Sequence, residues 1–451
     1  MLLVVCMIFF GAAAFAHADE FDFGYGAIEN FSDRPQWSER QIIVKFREDI
    51  TEEDGDAVIR HYGCSPIRRC SFAHLSLVEI PELTTPEKMV DIVGRDPLVD
   101  YAELNSYAWI TFLPDDTFFS FQWHLDNPVS GGIGMEAAWD IQTGDPNVVV
   151  AVLDTGVAYE DFGIFRQAPD LAGTSFVPGY DFVNDDAHPN DDQGHGTHVA
   201  GTIAQSTDNG AGVAGVAFGC SIMPVKVVNS EGFANQFDIA EGIYFAVRGG
   251  AQVINMSLGG GQESITLRDA VAYAYSRGVT VVCAAGNEFL QGNPANYPAA
   301  YDAYCMAVGA TRYDETRAFY SNTGGYVDLV APGGDMSVDQ DGDGFGDGVL
   351  QQSFQTDPND FRFWFFQGTS MVAPHVSGAA ALLVSNGISD PDMIGKILQT
   401  TAKDLGPAGW DEEYGWGLIN VGAALNYATN FNDDNEVILV DSTIPLERDF
   451  K

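Results

Sequence analysis

The amino-acid sequence predicts an α/β protein: a three-layer fold with a mostly parallel sheet between helices, preceded by a small α+β, ferredoxin-like module. From residue 139 onward, short apolar segments alternate with helical ones, which is typical of a parallel sheet covered on both faces. Residues 41–104 instead follow the order strand, helix, strand, helix, strand, as in split βαβ modules. The chain has 451 residues, 46% of them hydrophobic, enough for two or three domains with buried cores.

The chain is strongly acidic, with 64 aspartates and glutamates against 21 lysines and arginines and a net charge of −43. A disordered acidic chain is poor in apolar groups, whereas 12% of these residues are aromatic. A charge of this sign repels nucleic-acid phosphates, so we expect no nucleic-acid partner. It favours solubility and the binding of divalent cations.

The N-terminus predicts export. Residues 2–16 are continuously apolar or small, and residues 16–18 have the small-x-small form of a signal-peptidase site, so residues 1–18 are interpreted as a signal peptide. Lysine and arginine are absent before the apolar run, which leaves a short membrane anchor as the alternative. After signal removal we expect a secreted monomer, extracellular or periplasmic, without membrane contact. Residues 19–39 form an acidic, aperiodic leader.

The α+β module is predicted to span residues 40–110. Its strands are expected at residues 41–46, 74–80 and 99–104, and its helices at residues 51–62 and 85–94. Thr51 is placed as the N-cap of the first helix, with Asp54 three positions on in a weak capping box.

The larger domain is predicted to span residues 111–428, followed by an acidic C-terminal tail at residues 429–451. Apolar runs predict its strands at residues 147–153, 221–228, 253–258, 279–285 and 306–310. Helices are predicted at residues 198–204, 237–248, 264–277, 370–385 and 390–400.

Three short motifs place a carboxylate, an imidazole and a hydroxyl at the ends of predicted elements. Asp154 follows an apolar strand, at the carboxyl edge of the sheet where active sites of open α/β folds form. His195 and Ser370 each lie where the chain enters a helix. A serine hydroxyl becomes a good nucleophile when a base takes its proton, and the base needs a carboxylate to fix its tautomer. We interpret His198 and His375 as packing residues of their helices.

The order Asp, His, Ser, each in its own flanking motif, resembles the subtilisin-like serine peptidases, the subtilases of peptidase family S8. The resemblance covers residues 114–428. It implies that Asp154 orients the base, that His195 is general base and then general acid, and that Ser370 is the nucleophile. It also implies that Asn287, after the strand at residues 281–285, forms the oxyanion hole with the backbone N–H of the serine.

The same resemblance implies where substrate binds. Ser257, Leu258 and Gly259 stand where family members pair with the substrate backbone as an added strand; a simple turn is the alternative interpretation. Recognition through the main chain implies broad endopeptidase action on proteins and peptides. Glu288 stands at the rim of the primary side-chain pocket, where its charge would favour basic or polar side chains.

An acidic loop ahead of Ser370 predicts a calcium site. Asp339, Asp341 and Asp343 occupy positions one, three and five of an EF-hand-like loop, with glycine at position six and Asp347 at position nine. Position twelve is a leucine instead of the bidentate glutamate, so a remote ligand would have to complete the site. An acidic turn without an ion is the alternative.

Two further loops resemble calcium-binding loops of the family. Asp181, Asp186 and Asn190 match ligand positions of a loop that binds calcium in thermitase-like members, although His188 stands where an oxygen donor would suit better. The loop at residues 208–210 matches the family's high-affinity calcium loop with a one-residue difference in length. We therefore expect Ca²⁺ as a structural cofactor, and not zinc, because cysteine and histidine ligands at zinc spacings are absent.

By position and element order, the N-terminal module resembles the inhibitor I9-like propeptide of the family, which helps the peptidase to fold and blocks its cleft until autocleavage. The protein's own propeptide is thus an expected intramolecular partner, with a cut between Asn105 and Asp115. Parallel sheets depend on long-range contacts and fold slowly, so a folding template is physically reasonable.

An odd number of cysteines follows the signal peptide, so one thiol is free or pairs between chains. Cys64 and Cys70 either pair within the module or stay as two free thiols. Cys283 and Cys305 lie on strands expected to be neighbours. A disulfide between these two cysteines would leave Cys220 unpaired.

The sequence thus predicts a secreted, calcium-stabilised serine endopeptidase that is made as a self-processing precursor. One alternative is a selective processing protease. The other is a catalytically silent calcium-binding surface protein.

Overall fold

A computed structural model of the protein describes residues 37–70, 72–106, 112–125 and 130–429. The predicted signal peptide, residues 19–36 of the acidic leader and the C-terminal tail from residue 430 lie outside the described residues. So do residues 107–111, inside the segment where we expect propeptide cleavage.

The N-terminal module is a four-stranded antiparallel sheet with two helices. Its elements in chain order are β1 (Trp37–Phe46), α1 (Glu52–His61), β2 (Ser65–Arg69), β3 (Leu75–Glu79), α2 (Pro86–Val93) and β4 (Val99–Ser106). The strands lie in the order β2-β3-β1-β4. Alternate residues of the central β1, Ile42 and Val44, are fully buried in a small core with the apolar residues of both helices.

One strand of this module was not predicted. β2 lies at the edge of the sheet with mostly exposed side chains, so it lacks the alternation of apolar residues that marks a half-buried strand. β1 also begins at Trp37, ahead of residue 40, where we placed the start of the module. The predicted N-cap is confirmed, since Thr51 Oγ1 accepts the backbone N–H of Asp54 at 3.2 Å.

The larger domain is built on a parallel sheet buried on both faces. Its strands are β5 (Val149–Asp154), β6 (Ser175–Phe176), β7 (Tyr180–Asp181), β8 (Ser221–Lys226), β9 (Val253–Met256), β10 (Thr280–Ala284), β11 (Met306–Thr311) and β12 (Leu329–Pro332). They lie in the order β12-β11-β10-β9-β5-β8-β6, with β7 also paired to β8. The predicted fold class is therefore confirmed.

Helices cover both faces of this sheet. They are α3 (Met135–Trp139), α4 (His195–Ala204), α5 (Gln236–Arg248), α6 (Ile265–Ser276), α7 (Thr369–Ser385), α8 (Pro391–Thr401) and α9 (Val421–Thr429). Val150 and Val152 of β5 pack with α4 and α7, whereas Ala151 and Leu153 pack with α5 and α6. None of the helices among the described residues combines the length and apolarity that a membrane crossing needs.

The parallel arrangement brings several predicted site residues to one edge. β9 lies between β5 and β10, so the carboxyl ends of the three strands are neighbours. Asp154 ends β5, Ser257 follows β9, and Asn287 follows β10. The N-terminus of the almost wholly buried α7 presents Ser370 at the same edge, in contact with Ser257.

A two-stranded hairpin, β13 (Val349–Ser353) and β14 (Arg362–Phe366), lies between the acidic loop and Ser370. The ring of His198 stacks on Phe366 at a centroid distance of 4.2 Å. The Nε2 of His198 lies 3.1 Å from the carbonyl oxygens of Val349 and Trp364, one on each strand. His198 is therefore a packing residue, as predicted.

The cysteines of the described residues are free thiols. Cys64 is buried and Cys70 is exposed, so the two face different surroundings and do not pair. Cys220, Cys283 and Cys305 are buried and free, so the expected pairing of Cys283 with Cys305 is not formed.

Candidate active site

Asp154 ends β5 and is almost entirely buried, with 1% of its side chain exposed. Its Oδ1 accepts the backbone N–H of Thr155 at 2.7 Å and the Nδ1–H of His195 at 2.7 Å. Because a carboxylate can only accept, the bond places the imidazole proton on Nδ1 and leaves Nε2 free to act as a base. Two of the predicted catalytic residues are thus in direct contact.

His195 is the first residue of α4, and 27% of its side chain is exposed. At the next residue, Gly196, a Cβ atom would overlap the carbonyl oxygen of Gly156, so glycine lets the helix begin this close to the end of β5. Burial lowers the pKa of His195, but the charge and hydrogen bond of Asp154, together with the charge of Asp191, raise it above the ordinary value.

Ser370 is the second residue of α7 and is half-buried. Its hydroxyl donates to the carbonyl oxygen of Ser257 at 3.1 Å, and the Ser257 hydroxyl donates to the carbonyl oxygen of Ser370 at 2.8 Å. The hydroxyl of Ser370 is therefore hydrogen-bonded to Ser257 in this conformation.

Asn287 follows β10, and Thr369 holds its side-chain amide. The Oδ1 of Asn287 accepts the backbone N–H and the hydroxyl of Thr369 at 2.8 and 2.9 Å. A Cβ atom on Gly368, whose φ of +144° favours glycine, would lie 3.7 Å from the Nδ2 of Asn287 and 3.8 Å from the backbone N of Ser370. The side-chain amide of Asn287 and the backbone N of Ser370 thus lie close to the same point, beside Gly368.

The predicted substrate segment lies beside the nucleophile. Ser257 is buried, and Leu258 packs partly against the core on the α5 and α6 side of the sheet. After Gly259, the backbone of Gly260 pairs with Tyr297 in both directions at 2.9 Å. This short antiparallel pairing fixes the course of residues 257–260 along the edge of the sheet.

Glu288 is half-buried, and its carboxylate binds the neighbouring backbone. Its Oε2 accepts the N–H of Asn287 at 2.8 Å and the Nδ2 of Asn322 at 3.4 Å. The negative charge of Glu288 is thus hydrogen-bonded to the backbone of Asn287, whose side chain is a candidate oxyanion donor. An influence of Glu288 on the preferred substrate side chain stays a prediction.

The acidic loop before β13 gathers three of its four predicted ligands. Carboxylate oxygens of Asp339, Asp341 and Asp347 lie within 4.8 Å of one another. Asp343 lies outside this group, and its carboxylate accepts a backbone N–H of the following turn at 2.7 Å. Burial, together with the charges of Asp341 and Asp339, raises the pKa of Asp347 to about 6. Leu350 is buried in β13 and offers no side-chain oxygen.

In the loop at residues 181–190, the carboxylates of Asp181 and Asp186 accept hydrogen bonds from the loop itself. Both carboxylate oxygens of Asp181 accept hydrogen bonds at 2.8 Å from the turn that follows, two of them from Asn184. Asp186 accepts the N–H of His188 at 2.8 Å. The Oδ1 of Asn190 is buried without a hydrogen-bond partner. Calcium at this loop stays a prediction.

Two carboxylates that the sequence analysis did not select meet the loop at residues 208–210. The Oδ2 of Asp116 accepts the N–H of Asp208 at 2.8 Å, and its Oδ1 is buried without a partner. The Oδ1 of Asp170 accepts the Nδ2 of Asn209 at 3.3 Å. Burial raises the pKa of both Asp116 and Asp170 to about 6. These residues are far apart in the sequence, so spacing gave no signal.

Comparison with known proteins agrees with this geometry. A model of the subtilase family, peptidase S8, matches residues 145–417. The chain belongs to the subtilase family. A second model, the fervidolysin N-terminal prodomain, matches residues 29–105, so this subtilase carries the predicted prodomain.

Individual relatives of the subtilase include a serine proteinase. A thermophilic serine proteinase of Bacillus sp. (strain AK1) is 34% identical over 389 residues, 86% of this chain and 87% of the relative. Thermitase of Thermoactinomyces vulgaris is 35% identical over 317 residues, 70% of this chain and 100% of thermitase. A solved protease structure from Pseudoalteromonas arctica PAMC 21717 is 36% identical, with a TM-score of 0.61 over 70% of this chain and 99% of that one. The subtilase is a hydrolase, a serine endopeptidase of subtilisin type.

Proposed function

We propose that this subtilase is a secreted endopeptidase that hydrolyses peptide bonds with Asp154, His195 and Ser370 and is made as a self-processing precursor. The observation that carries the proposal is the 2.7 Å hydrogen bond between His195 Nδ1 and Asp154 Oδ1. Secretion is supported by a relative described as an extracellular protease of Xanthomonas campestris, 33% identical over 82% of this chain and 66% of the relative.

In the first half of the reaction, the Oγ of Ser370 attacks the carbonyl carbon of the scissile peptide while the Nε2 of His195 takes the hydroxyl proton. Asp154 stabilises the imidazolium that forms. The carbonyl oxygen becomes an oxyanion, which receives hydrogen bonds from the Nδ2 of Asn287 and the backbone N–H of Ser370. His195 then gives its proton to the departing amine, the C–N bond breaks, and an acyl group remains on Ser370.

In the second half, water attacks the acyl carbonyl carbon and His195 takes a proton from the water. The bond to the Oγ breaks, His195 returns the proton to Ser370, and the carboxylic acid product leaves. The raised pKa of His195, which the Asp154 charge maintains against burial, suits a group that must accept a proton twice per turnover.

The substrates we propose are proteins and peptides bound in extended form along residues 257–259. The backbone groups of this segment would pair with the substrate as an added strand, so affinity comes mainly from the main chain. Ser257 supports this role because its own contacts hold it against the nucleophile.

Calcium is proposed as a structural cofactor at two places. Asp339, Asp341 and Asp347 offer grouped carboxylate oxygens, the hard donors that Ca²⁺ prefers. Asp116 and Asp170 offer buried oxygens beside the loop at residues 208–210, and the unpartnered Oδ1 of Asp116 is one that a cation would satisfy. Bound calcium would neutralise these carboxylates and stabilise the fold.

The prodomain is proposed to act as folding template and inhibitor until the chain cuts itself between Asn105 and Asp115. The ring of Phe112, which lies within this segment, packs edge-on against the ring of Trp139 at a centroid distance of 5.9 Å. A cut ahead of Phe112 therefore leaves this packing intact in the mature enzyme.

The proposal is tested by expressing the parent beside Ser370→Ala, with Ser276→Ala on the surface of α6 as the matched control. We expect the parent and the control to be cut between residues 105 and 115 and to be labelled by a fluorophosphonate, and Ser370→Ala to show neither. If the parent is neither cut nor labelled, like Ser370→Ala, the proposed peptidase activity is contradicted and the catalytically silent calcium-binding protein is favoured.

A further inference from the structure

Asp191 is a fully buried carboxylate ahead of His195 that the proposed chemistry does not use. Its Oδ1 accepts the hydroxyl of Thr155, the residue after Asp154, at 2.8 Å. The same oxygen accepts the backbone N–H groups of the two residues that precede His195, at 3.0 and 2.9 Å. One carboxylate oxygen thus joins the end of β5 to the start of α4.

The other oxygen of Asp191 binds a residue that follows His195 in α4. The Oδ2 of Asp191 accepts the N–H and the hydroxyl of Thr197 at 2.9 and 2.6 Å. The Oγ1 of Thr155 also accepts the N–H of Gly196 at 2.9 Å. The residues on both sides of His195 are therefore held by Asp191 or by Thr155.

A buried lysine completes this network. Lys226 is fully buried and lies directly opposite Asp154 in the register of β5 and β8. Its ammonium donates to the carbonyl oxygens of Thr155 and Val228 at 2.5 and 3.0 Å and to the carboxylate of Asp192 at 2.7 Å. All three ammonium protons have acceptors. The turn after Asp154 is therefore held by Lys226 at the Thr155 carbonyl as well as by Asp191 at the Thr155 hydroxyl.

We propose that Asp191 is a positioning residue for His195: through Thr155 and Thr197 it sets the imidazole against Asp154. The inference rests on the proposed function. A misplacement of a reacting group by about 1 Å can cost on the order of a hundredfold in rate, so a group that fixes the first turn of α4 affects turnover without touching substrate.

The charge of Asp191 adds a second, measurable effect to this positioning role, because it raises the pKa of His195. Among the described residues, the ionisable groups that interact electrostatically with His195 are Asp154, Asp191 and His198. Burial lowers the pKa of His198 to about 3, so this ring is neutral at working pH and only the two carboxylates favour protonation of His195. Removing the charge of Asp191 therefore lowers the pKa of His195.

The experiment compares Asp191→Asn and Thr155→Val with the parent, in the full chain, using a peptide p-nitroanilide substrate across a pH series. Asp328→Asn is the matched control, because this carboxylate also accepts a backbone N–H, from Ala307 at 2.9 Å, but lies before β12 at the opposite edge of the sheet. Thermal unfolding is measured for each variant.

For Asp191→Asn we expect kcat to fall by about tenfold or more with KM nearly unchanged. We also expect the acid limb of the kcat/KM profile to move to lower pH. For Thr155→Val, which keeps the charge, we expect a loss of kcat without movement of that limb. The control should keep the parental profile.

An acid limb of Asp191→Asn that coincides with the parent's, with a kcat loss no larger than the control's, would overturn the inference. If Asp191→Asn does not fold, a Thr155→Val variant with parental kcat would overturn it equally. A parent that neither cleaves the substrate nor reacts with a fluorophosphonate marks failure of the proposed function instead.

Discussion

Thr369 binds the side chain of Asn287 twice, because its backbone N–H and its hydroxyl both donate to the same Oδ1, at 2.8 and 2.9 Å. Thr369 itself is almost fully buried, and its Oγ1 also accepts the backbone N–H of Gly286 at 3.2 Å. The residue beside the nucleophile therefore decides which end of the amide faces the cleft.

Asn287→Leu should lower kcat by about 10²–10³-fold with little change in KM, the size of loss known for an oxyanion-hole donor in subtilisin. The reason is that the oxyanion exists only after attack, so the lost hydrogen bond belongs to the transition state. Steady-state kinetics on a peptide p-nitroanilide measures both constants. Asn359→Leu, on the exposed turn of the hairpin, is the control, and a parental kcat in Asn287→Leu would contradict the assignment.

Thr369→Val should lower kcat by a smaller factor, about tenfold, because it removes one of the two hydrogen bonds that orient Asn287 and keeps the backbone N–H. Thr369→Ser retains the hydroxyl and should stay close to the parent. The same kinetic assay applies. Equal activity of the valine and serine variants would mean that the hydroxyl does not orient the amide.

Stability should decrease on acidification because of buried neutral histidines. Burial lowers the pKa of His198 to about 3 and that of His375 to about 4, whereas both titrate near 6.5 in an unfolded chain. Below about pH 6.5 the unfolded state takes up protons that the folded state does not, so the free energy of unfolding falls until the pH approaches the folded values. Each histidine contributes up to about 1.4 kcal/mol per pH unit.

Urea unfolding in a Ser370→Ala background, which prevents autolysis, measures this slope between about pH 6.5 and about pH 4.5. Adding His198→Gln removes one of the titrating groups and should make the slope shallower. Carboxylates that titrate in the same range act equally in both proteins and cancel in the comparison. Identical slopes would show that His198 is not held neutral.

Removal of calcium should lower the melting temperature of the Ser370→Ala protein. A cation present at about a hundredfold its dissociation constant stabilises the fold by about 2.7 kcal/mol, which corresponds to several degrees in a domain of this size. Asp341→Asn should reduce the response to a chelator, and Asp357→Asn, on the exposed hairpin turn, should not. An unchanged melting temperature on chelation would count against both proposed sites.

The candidate reactive residues could be selected from the sequence because each sits in a local motif at the end of an element. Asp154 closes an apolar strand, and Ser370 opens an apolar helix, so both the residue type and its place are readable within a few positions. The parallel sheet follows from the same apolar runs. Local patterns therefore indicated both the layers and the chemistry at their edge.

What the sequence could not indicate depends on contacts between distant segments. Asp191 directly follows the loop at residues 181–190, and nothing in its local sequence indicated that the fold buries it completely. Lys226 ends an apolar strand and gave no sign of its three acceptors. Asp116 and Asp170 meet the loop at residues 208–210 only because the chain folds back on itself.

The contacts of His198 join two parts of the enzyme mechanically. α4 presents His195, and from the same helix His198 holds both strands of the hairpin that leads into Ser370. His198 therefore ties the helix that carries His195 to the hairpin that leads into Ser370, and it does so away from the hairpin's turn at residues 355–360. That turn is the natural graft point for lengthening or exchanging sequence near the cleft in an engineered version.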